Sequence, residues 1–243
     1  MANQLGIKGF DYVEFYVGSA KMVSYWFAKA MGVPCKAYMG PETGVRDRIS
    51  FYHVKNNLKF LITSAVQPET YEVQSFVHLH GDGVKRWAFR VADVEGSFSH
   101  AVKNGAIWVR NPQRFEDKNG WVEEAAIRMY DDAEVVYFNS NNYKGLFKPG
   151  YDLPPQKLDI RCEDTGLLAV DHVVGNVREN EMNFWAEYFN KTMDFETYVE
   201  FGPGDISTKY SALLSKVVRT RDNVIKNPIN EPFKGAKKSQ IQE

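Results

Sequence analysis

Cysteines and long hydrophobic runs are both scarce in this sequence. Its 243 residues include two cysteines, Cys35 and Cys162, which are too few and too far apart for a disulfide framework or a metal-ligand motif. No run of about 18 apolar residues occurs, so no membrane span is predicted. The first residues also lack the basic start and apolar stretch of a secretory signal. We therefore expect a cytoplasmic protein whose cysteines are buried as small hydrophobic side chains.

An excess of charge of either sign is missing as well. Lys and Arg together number 30, Asp and Glu together number 31, and the formal net charge is −1. This balance gives no electrostatic reason to expect a nucleic acid or an anionic membrane as partner. Disorder is excluded because 44% of the residues are hydrophobic and 14% are aromatic. The composition therefore fits a globular protein that binds small molecules.

A strand followed directly by an amphipathic helix occurs three times along the chain. The strands are predicted at 11–17, 85–91 and 171–177, where alternating residues indicate one apolar face and one polar or mixed face. We expect the apolar face to pack on a helix and the other face to form the inner wall of a curved sheet. The apolar positions of the three helices are Met22, Trp26 and Ala30, then Val94, Phe98, Ala101 and Val102, then Met182, Trp185 and Phe189.

Each helix is followed by strand-like segments separated by turn residues. The repeated unit is therefore βαβββ, and the predicted fold class is α+β. Prolines and glycines at 148–164 indicate an extended linker. We predict an N-terminal domain of two units over 1–147, the linker over 148–164, and one unit over 165–243. A single unit leaves an unpaired sheet edge, so we expect that another chain completes it or that the sequence is truncated.

Four segments resemble the 4-hydroxyphenylpyruvate dioxygenase family of the vicinal oxygen chelate superfamily. They are GFDYVEFYVGSA at 9–20, TGLLAVDHVVGNV at 165–177, DISTKYSALLSKVV at 205–218 and PINEPFKGAKKSQIQE at 228–243. The resemblance implies glyoxalase-like half-barrels of paired units and a non-haem Fe(II) held by two His and one carboxylate. It also implies that O2 converts an α-keto acid, 4-hydroxyphenylpyruvate, to homogentisate and CO2 in tyrosine and phenylalanine catabolism.

The resemblance assigns four residues to the site. His172, on the polar face of the third repeated strand, is implied to be the first iron ligand. Ser215, Asn230 and Gln240 match polar residues of the family's substrate pocket and could hold a phenol or keto acid through neutral hydrogen bonds. Structural roles remain open beside these: a core histidine, a strand serine, a turn asparagine between prolines, and a solvated glutamine.

The family's second iron-binding His and its carboxylate lie in a fourth unit, which this sequence lacks. We therefore predict that the 243 residues alone have no dioxygenase activity. The first domain offers Tyr12 and Arg86 at the positions equivalent to His172, and neither is a usual Fe(II) ligand, so that domain is predicted to bind no metal. His78 and His80 could form a metal-binding pair on a strand, but no carboxylate-rich pattern accompanies them.

Two alternative functions remain open. Hydroxymandelate synthase shares the family's substrate, iron site and fold but hydroxylates the side chain instead of the ring. A binding or scaffold protein could use the same units without catalysis. The family also tends to assemble as dimers or tetramers, so the resemblance implies a homo-oligomer.

Overall fold

The computed structural model describes residues 4–155, 160–202 and 212–233. Gln240 lies outside these residues. The elements of the described part are β1 (Phe10–Tyr16), α1 (Ala20–Lys29), β2 (Cys35–Met39), β3 (Arg48–Lys55), β4 (Leu58–Ala65), α2 (Tyr71–His80), β5 (Gly83–Arg90), α3 (Val94–Lys103), β6 (Trp108–Asp117), β7 (Gly120–Met129), β8 (Ala133–Asn139), β9 (Gly175–Asn176), α4 (Met182–Met193), β10 (Phe195–Phe201), β11 (Ala212–Thr220) and β12 (Lys226–Phe233).

One strand order occurs three times in two sheets. The larger sheet has the order β2-β3-β4-β1-β5-β8-β7-β6, and the smaller one has β10-β11-β12-β9. Within each unit the first strand pairs in parallel with the last, as β1 with β4, β5 with β8 and β9 with β12. The first two units join through the antiparallel pair β1–β5. The prediction of an α+β fold built from βαβββ units is therefore confirmed.

The alternation of β1 and β5 separates two hydrophobic clusters. Val13, Trp87 and Phe89 belong to the main core, which also contains the buried apolar residues of α3 and α4. Tyr12 and Ala88 belong to a second cluster on the opposite face of the sheet. We call this opposite face, which also carries the polar side chains of β1 and β5, the inner face.

The buried face of α1 differs from the predicted one. Met22 and Trp26 are 67% and 54% exposed. The residues that are buried are Ala20, Ser24, Phe27 and Ala28. Ser24 can be buried because its hydroxyl is 2.7 Å from Nε2 of His53, which satisfies both polar groups. In α3 and α4 the predicted apolar positions Phe98 and Phe189 are buried as expected.

The third unit packs against the first two through the main core. Helix α4 lies against α3, and the rings of Phe89 and Phe195 are 6.0 Å apart. Arg178 and Asp131 form an ion pair between the units. The start of the predicted linker also packs on the sheet, since Asp152 exchanges backbone hydrogen bonds of 2.8 and 2.9 Å with Tyr38.

Two further expectations need correction. His78 and His80 lie on α2 and not on a strand, and Nε2 of His80 is 2.9 Å from Asp132. Both cysteines are half-buried instead of buried. As for membrane insertion, the described helices include none with the length and apolar character that a bilayer crossing requires.

Candidate functional site

Ser215 and Asn230 lie directly opposite each other on β11 and β12. The next strand adds Asn176 of β9, which pairs with Asn230, and Phe201 of β10 pairs with Ser215 on the other side. Directly paired residues share a face of a sheet, so the four side chains form one row across the third sheet. Ile229, one residue away, points to the main core. The row therefore lies on the face opposite α4, which corresponds to the inner face of the first sheet.

The polar groups of this row differ in exposure. Ser215 is 4% exposed, Asn230 is half-buried and Asn176 is exposed. The Asn230 amide nitrogen is 3.4 Å from Oδ1 of Asn176, a long contact that still brings the two amides together. The structure thus joins two residues that the sequence singled out separately. Asn176 was missed, although its even spacing from His172 was a visible signal for the same strand face.

His172 lies outside any strand, so the predicted strand at 171–177 is wrong in its extent: β9 covers Gly175–Asn176 alone. The cause lies on the neighbouring strand. Residues two apart on a strand direct their backbone hydrogen-bonding groups to the same neighbouring strand. The Asn230 carbonyl accepts from the Val177 amide at 2.8 Å, so the backbone of Pro228 also faces β9. Proline has no N–H to donate, and the ladder ends there.

A side chain replaces the missing ladder bond. The Asn227 amide nitrogen donates to the carbonyl of Val173 at 3.0 Å, and Asn227 is fully buried. This bond holds the backbone next to His172 against β12. The Oδ1 atom of Asn227 is buried without a hydrogen-bond partner among the described residues.

The imidazole of His172 is 45% exposed and its Nδ1 is 2.6 Å from Oδ2 of Asp171. This hydrogen bond to His172 lowers the pKa of Asp171 below its usual value. A carboxylate on one ring nitrogen of a His leaves the other nitrogen available to a ligand.

The described residues do not fit a complete Fe(II) site. Such a site needs two His and one carboxylate on one side of the ion. The sequence has 5 His, and the four besides His172 lie on elements of the first two units: His53 on β3, His78 and His80 on α2, and His100 on α3. Within the described ranges, no three side chains from His, Cys, Asp and Glu are arranged to hold a metal. At the position that the third unit offers for a metal, the described part of the chain therefore supplies one imidazole, that of His172.

In the first sheet, a guanidinium occupies the position equivalent to His172. The Arg86 side chain is 9% exposed and lies 3.4 Å from Glu14, 3.3 Å from Glu134 and 2.7 Å from Glu72. Burial raises the pKa of Glu72, but the charge of Arg86 and a hydrogen bond from Tyr16 outweigh it and bring that pKa to about 2. The three carboxylates thus surround a cation that belongs to the chain.

A second buried ion cluster and aromatic rings fill the rest of the inner face. Glu124 accepts from Arg110 at 2.7 Å and from Lys148 at 3.2 Å. Tyr12 packs edge-on against Phe138 and Phe147, with ring centroids 5.5 and 5.3 Å apart. Side chains therefore occupy the position in the first sheet that corresponds to the row around Ser215 in the third.

Comparison with known proteins places these features in a family. The sequence model described as "Hydroxyphenylpyruvate dioxygenase, HPPD, N-terminal" matches residues 1–144. The 4-hydroxyphenylpyruvate dioxygenase of Aspergillus fumigatus is 36% identical, with 97% of this chain and 62% of the relative covered. That of Tetrahymena thermophila is also 36% identical, with 97% and 60% covered. The chain therefore spans about three fifths of the length of these relatives.

Solved structures show the same fold. A triply substituted variant of 4-hydroxymandelate synthase from Streptomyces coelicolor superposes with a TM-score of 0.79 at 23% identity, covering 93% of this chain and 63% of that one. A fusion protein of a xylose isomerase-like TIM barrel and 4-hydroxyphenylpyruvate dioxygenase gives 0.69 at 16% identity, covering 96% and 33%. The match over residues 1–144 covers more than half of the sequence, and the chain belongs to the hydroxyphenylpyruvate dioxygenase family.

Proposed function

We propose that this chain forms the N-terminal domain, over 1–147, and the first catalytic unit, over 165–243, of a non-haem Fe(II) dioxygenase. The reaction is the conversion of 4-hydroxyphenylpyruvate and O2 to homogentisate and CO2 in cytoplasmic tyrosine and phenylalanine catabolism. The observation that carries this proposal is 36% identity, over 97% of the chain, to proteins named for that reaction. The protein is further proposed to be a homo-oligomer, as a dimer or tetramer.

The residues of the third unit take separate roles in this proposal. His172 contributes one ligand to the iron, which when bound supplies the oxygen chemistry. The Ser215 hydroxyl and the Asn230 amide, opposite each other on adjacent strands, orient the aromatic keto acid by neutral hydrogen bonds. Gln240 is proposed to act with them. An Fe(II) site of this kind needs two His and one carboxylate, and the described residues of the third unit supply only the imidazole of His172. The 243 residues alone are therefore proposed to be inactive.

A chimera tests the proposal. The matching three fifths of the Tetrahymena thermophila relative is replaced by this chain, and the remainder of that relative supplies its own residues. With Fe(II), ascorbate and 4-hydroxyphenylpyruvate, we expect the chimera to form homogentisate, identified by chromatography. His172→Ala should abolish turnover and reduce the bound iron, whereas His100→Ala on α3 should leave both unchanged.

The outcomes separate the alternatives. Turnover by the 243 residues alone would refute their proposed inactivity, and full activity of the His172→Ala chimera would refute the assignment of the iron ligand. Formation of 4-hydroxymandelate instead of homogentisate would favour hydroxymandelate synthase. A folded chimera without any turnover would favour a binding protein of the same fold.

A further inference from the structure

A cavity of about 310 Å³ opens at one end of the inner face of the first sheet. Strands β1, β2, β3, β4 and β8 and the loop after β8 contribute to its walls. Its volume lies at the lower end of the range of small-molecule sites, so it suits a compact organic ligand. The candidate site of the third unit shares no residue with it.

Aromatic rings form one wall of the cavity. The rings of Tyr52 and Phe147 are stacked, with centroids 4.1 Å apart and planes 18° from parallel. Phe138 lies next to them, and Leu146, which is 43% exposed, stands among the lining residues. An aromatic lining of this kind favours a planar unsaturated ligand.

The charged lining residues are Lys36, Lys59 and Asp11, so the cavity carries one net positive charge and favours an anion. Lys59 donates to both carboxylate oxygens of Asp11 at 3.1 and 3.2 Å, which fixes its position and leaves one of its three N–H groups unused by Asp11. Lys36 is exposed and adds a second positive charge. Burial, together with the charge of Asp11, raises the pKa of Tyr52, so its hydroxyl stays protonated and is able to donate.

The loop that closes the cavity is fixed in place before any ligand arrives. The Tyr143 hydroxyl donates to Asp117 at 2.9 Å, and the Lys144 amide donates to the carbonyl of Asn119 at the same distance. The two acceptors lie at the end of β6 and in the turn that joins it to β7. A wall held in this way lowers the conformational cost of binding.

We propose that this cavity is a second binding site of the protein and that it takes an aromatic carboxylate. The carboxylate contacts Lys36, Lys59 and the Tyr52 hydroxyl, and the ring packs along Tyr52 and Phe147. Two ammonium groups, without an arginine fork or a helix N-terminus in the described lining, suit a single carboxylate better than a phosphate. The site is independent of iron and of the proposed reaction.

Calorimetric titration of the 243-residue chain with phenylacetate tests this proposal. We expect saturable binding that weakens as salt is added. Cyclohexylacetate, which lacks the ring face, and 2-phenylethanol, which lacks the charge, should each bind about tenfold more weakly or worse. Lys36→Gln and Tyr52→Phe should also weaken phenylacetate binding about tenfold, since each removes one donor to the carboxylate.

Two control variants place the ligand. Lys29→Gln removes an exposed charge of α1 that is not part of the lining, and it should leave the affinity unchanged. Ser215→Ala should also have no effect, which separates this cavity from the proposed substrate face. Three outcomes would each overturn the proposal. The first is an absence of saturable binding, and the second is equal affinity for 2-phenylethanol and phenylacetate. The third is that Ser215→Ala abolishes phenylacetate binding whereas Lys36→Gln leaves it unchanged. Thermal unfolding of every variant confirms that it is folded.

Discussion

Among single residues, Arg86 lies between two buried carboxylates, those of Glu14 and Glu134. The side chains of Glu14 and Glu134 are each 7% exposed, and both lie within 3.4 Å of the guanidinium. Arg86→Met removes the cation that both buried carboxylates share. We expect a loss of about 3–5 kcal/mol in the free energy of unfolding, measured with urea at pH 7. Arg114→Met, at an exposed arginine stacked on Trp121, serves as the control and should cost less than about 1 kcal/mol. Equal losses in the two variants would contradict this account of Arg86.

His53 gives a second prediction at the same scale. Burial lowers its pKa from 6.5 to about 4, while its ring stays bonded to Ser24 and to the carbonyl of Val33. The unfolded chain therefore binds a proton at His53 between pH 6.5 and 4 that the folded chain does not, and stability falls as the pH drops through this window. The expected contribution is about 3 kcal/mol. His53→Gln should flatten this part of the stability–pH curve, as measured by urea unfolding across the same pH range.

At the scale of elements, the sequence predicted the strand faces that follow from a strand's own alternation. It missed the features that depend on neighbouring strands, namely the length of β9 and the buried face of α1. The alternation of β1 and β5 assigns both faces correctly, because each is paired on both sides within the sheet. The same reasoning failed for 171–177, because the length of β9 depends on the donors of β12, where Pro228 offers none. The buried face of α1 was missed for a similar reason: Ser24 is inside because His53, on β3, bonds to it.

The Asn227 side chain gives a prediction for this segment. Asn227→Leu keeps a side chain of similar size in the core but removes the hydrogen bond to Val173. Because Oδ1 of Asn227 already lacks a partner among the described residues, we expect global stability to change by less than about 1 kcal/mol. Hydrogen exchange at 171–176 should nevertheless become faster, as the segment around His172 opens locally. In the control Asn190→Leu, which removes a bond from α4 to Thr197, these amides should exchange at the original rate. Unchanged exchange in Asn227→Leu would show that other contacts hold the segment.

At the scale of the whole molecule, the third unit shares one hydrophobic core with the first two. Phe195 is 1% exposed and lies between Phe89 of the larger sheet and Phe189 of α4, at centroid distances of 6.0 and 5.4 Å. A side chain shared in this way couples the stability of the units. Phe195→Ala should therefore lower the free energy of unfolding by about 3–5 kcal/mol and speed hydrogen exchange in β5 and α3 as well as in α4 and β10. The control is Phe201→Ala, on the same strand but 36% exposed, for which a much smaller effect confined to the third sheet is expected.

If Phe195→Ala loosened the third unit alone, the units would be independent and the predicted boundary at 148–164 would separate two autonomous domains. If the effect spreads as expected, the segment around His172 is held in place by the first two units, which gives the N-terminal part of the chain a role in the site although it supplies none of the proposed site residues.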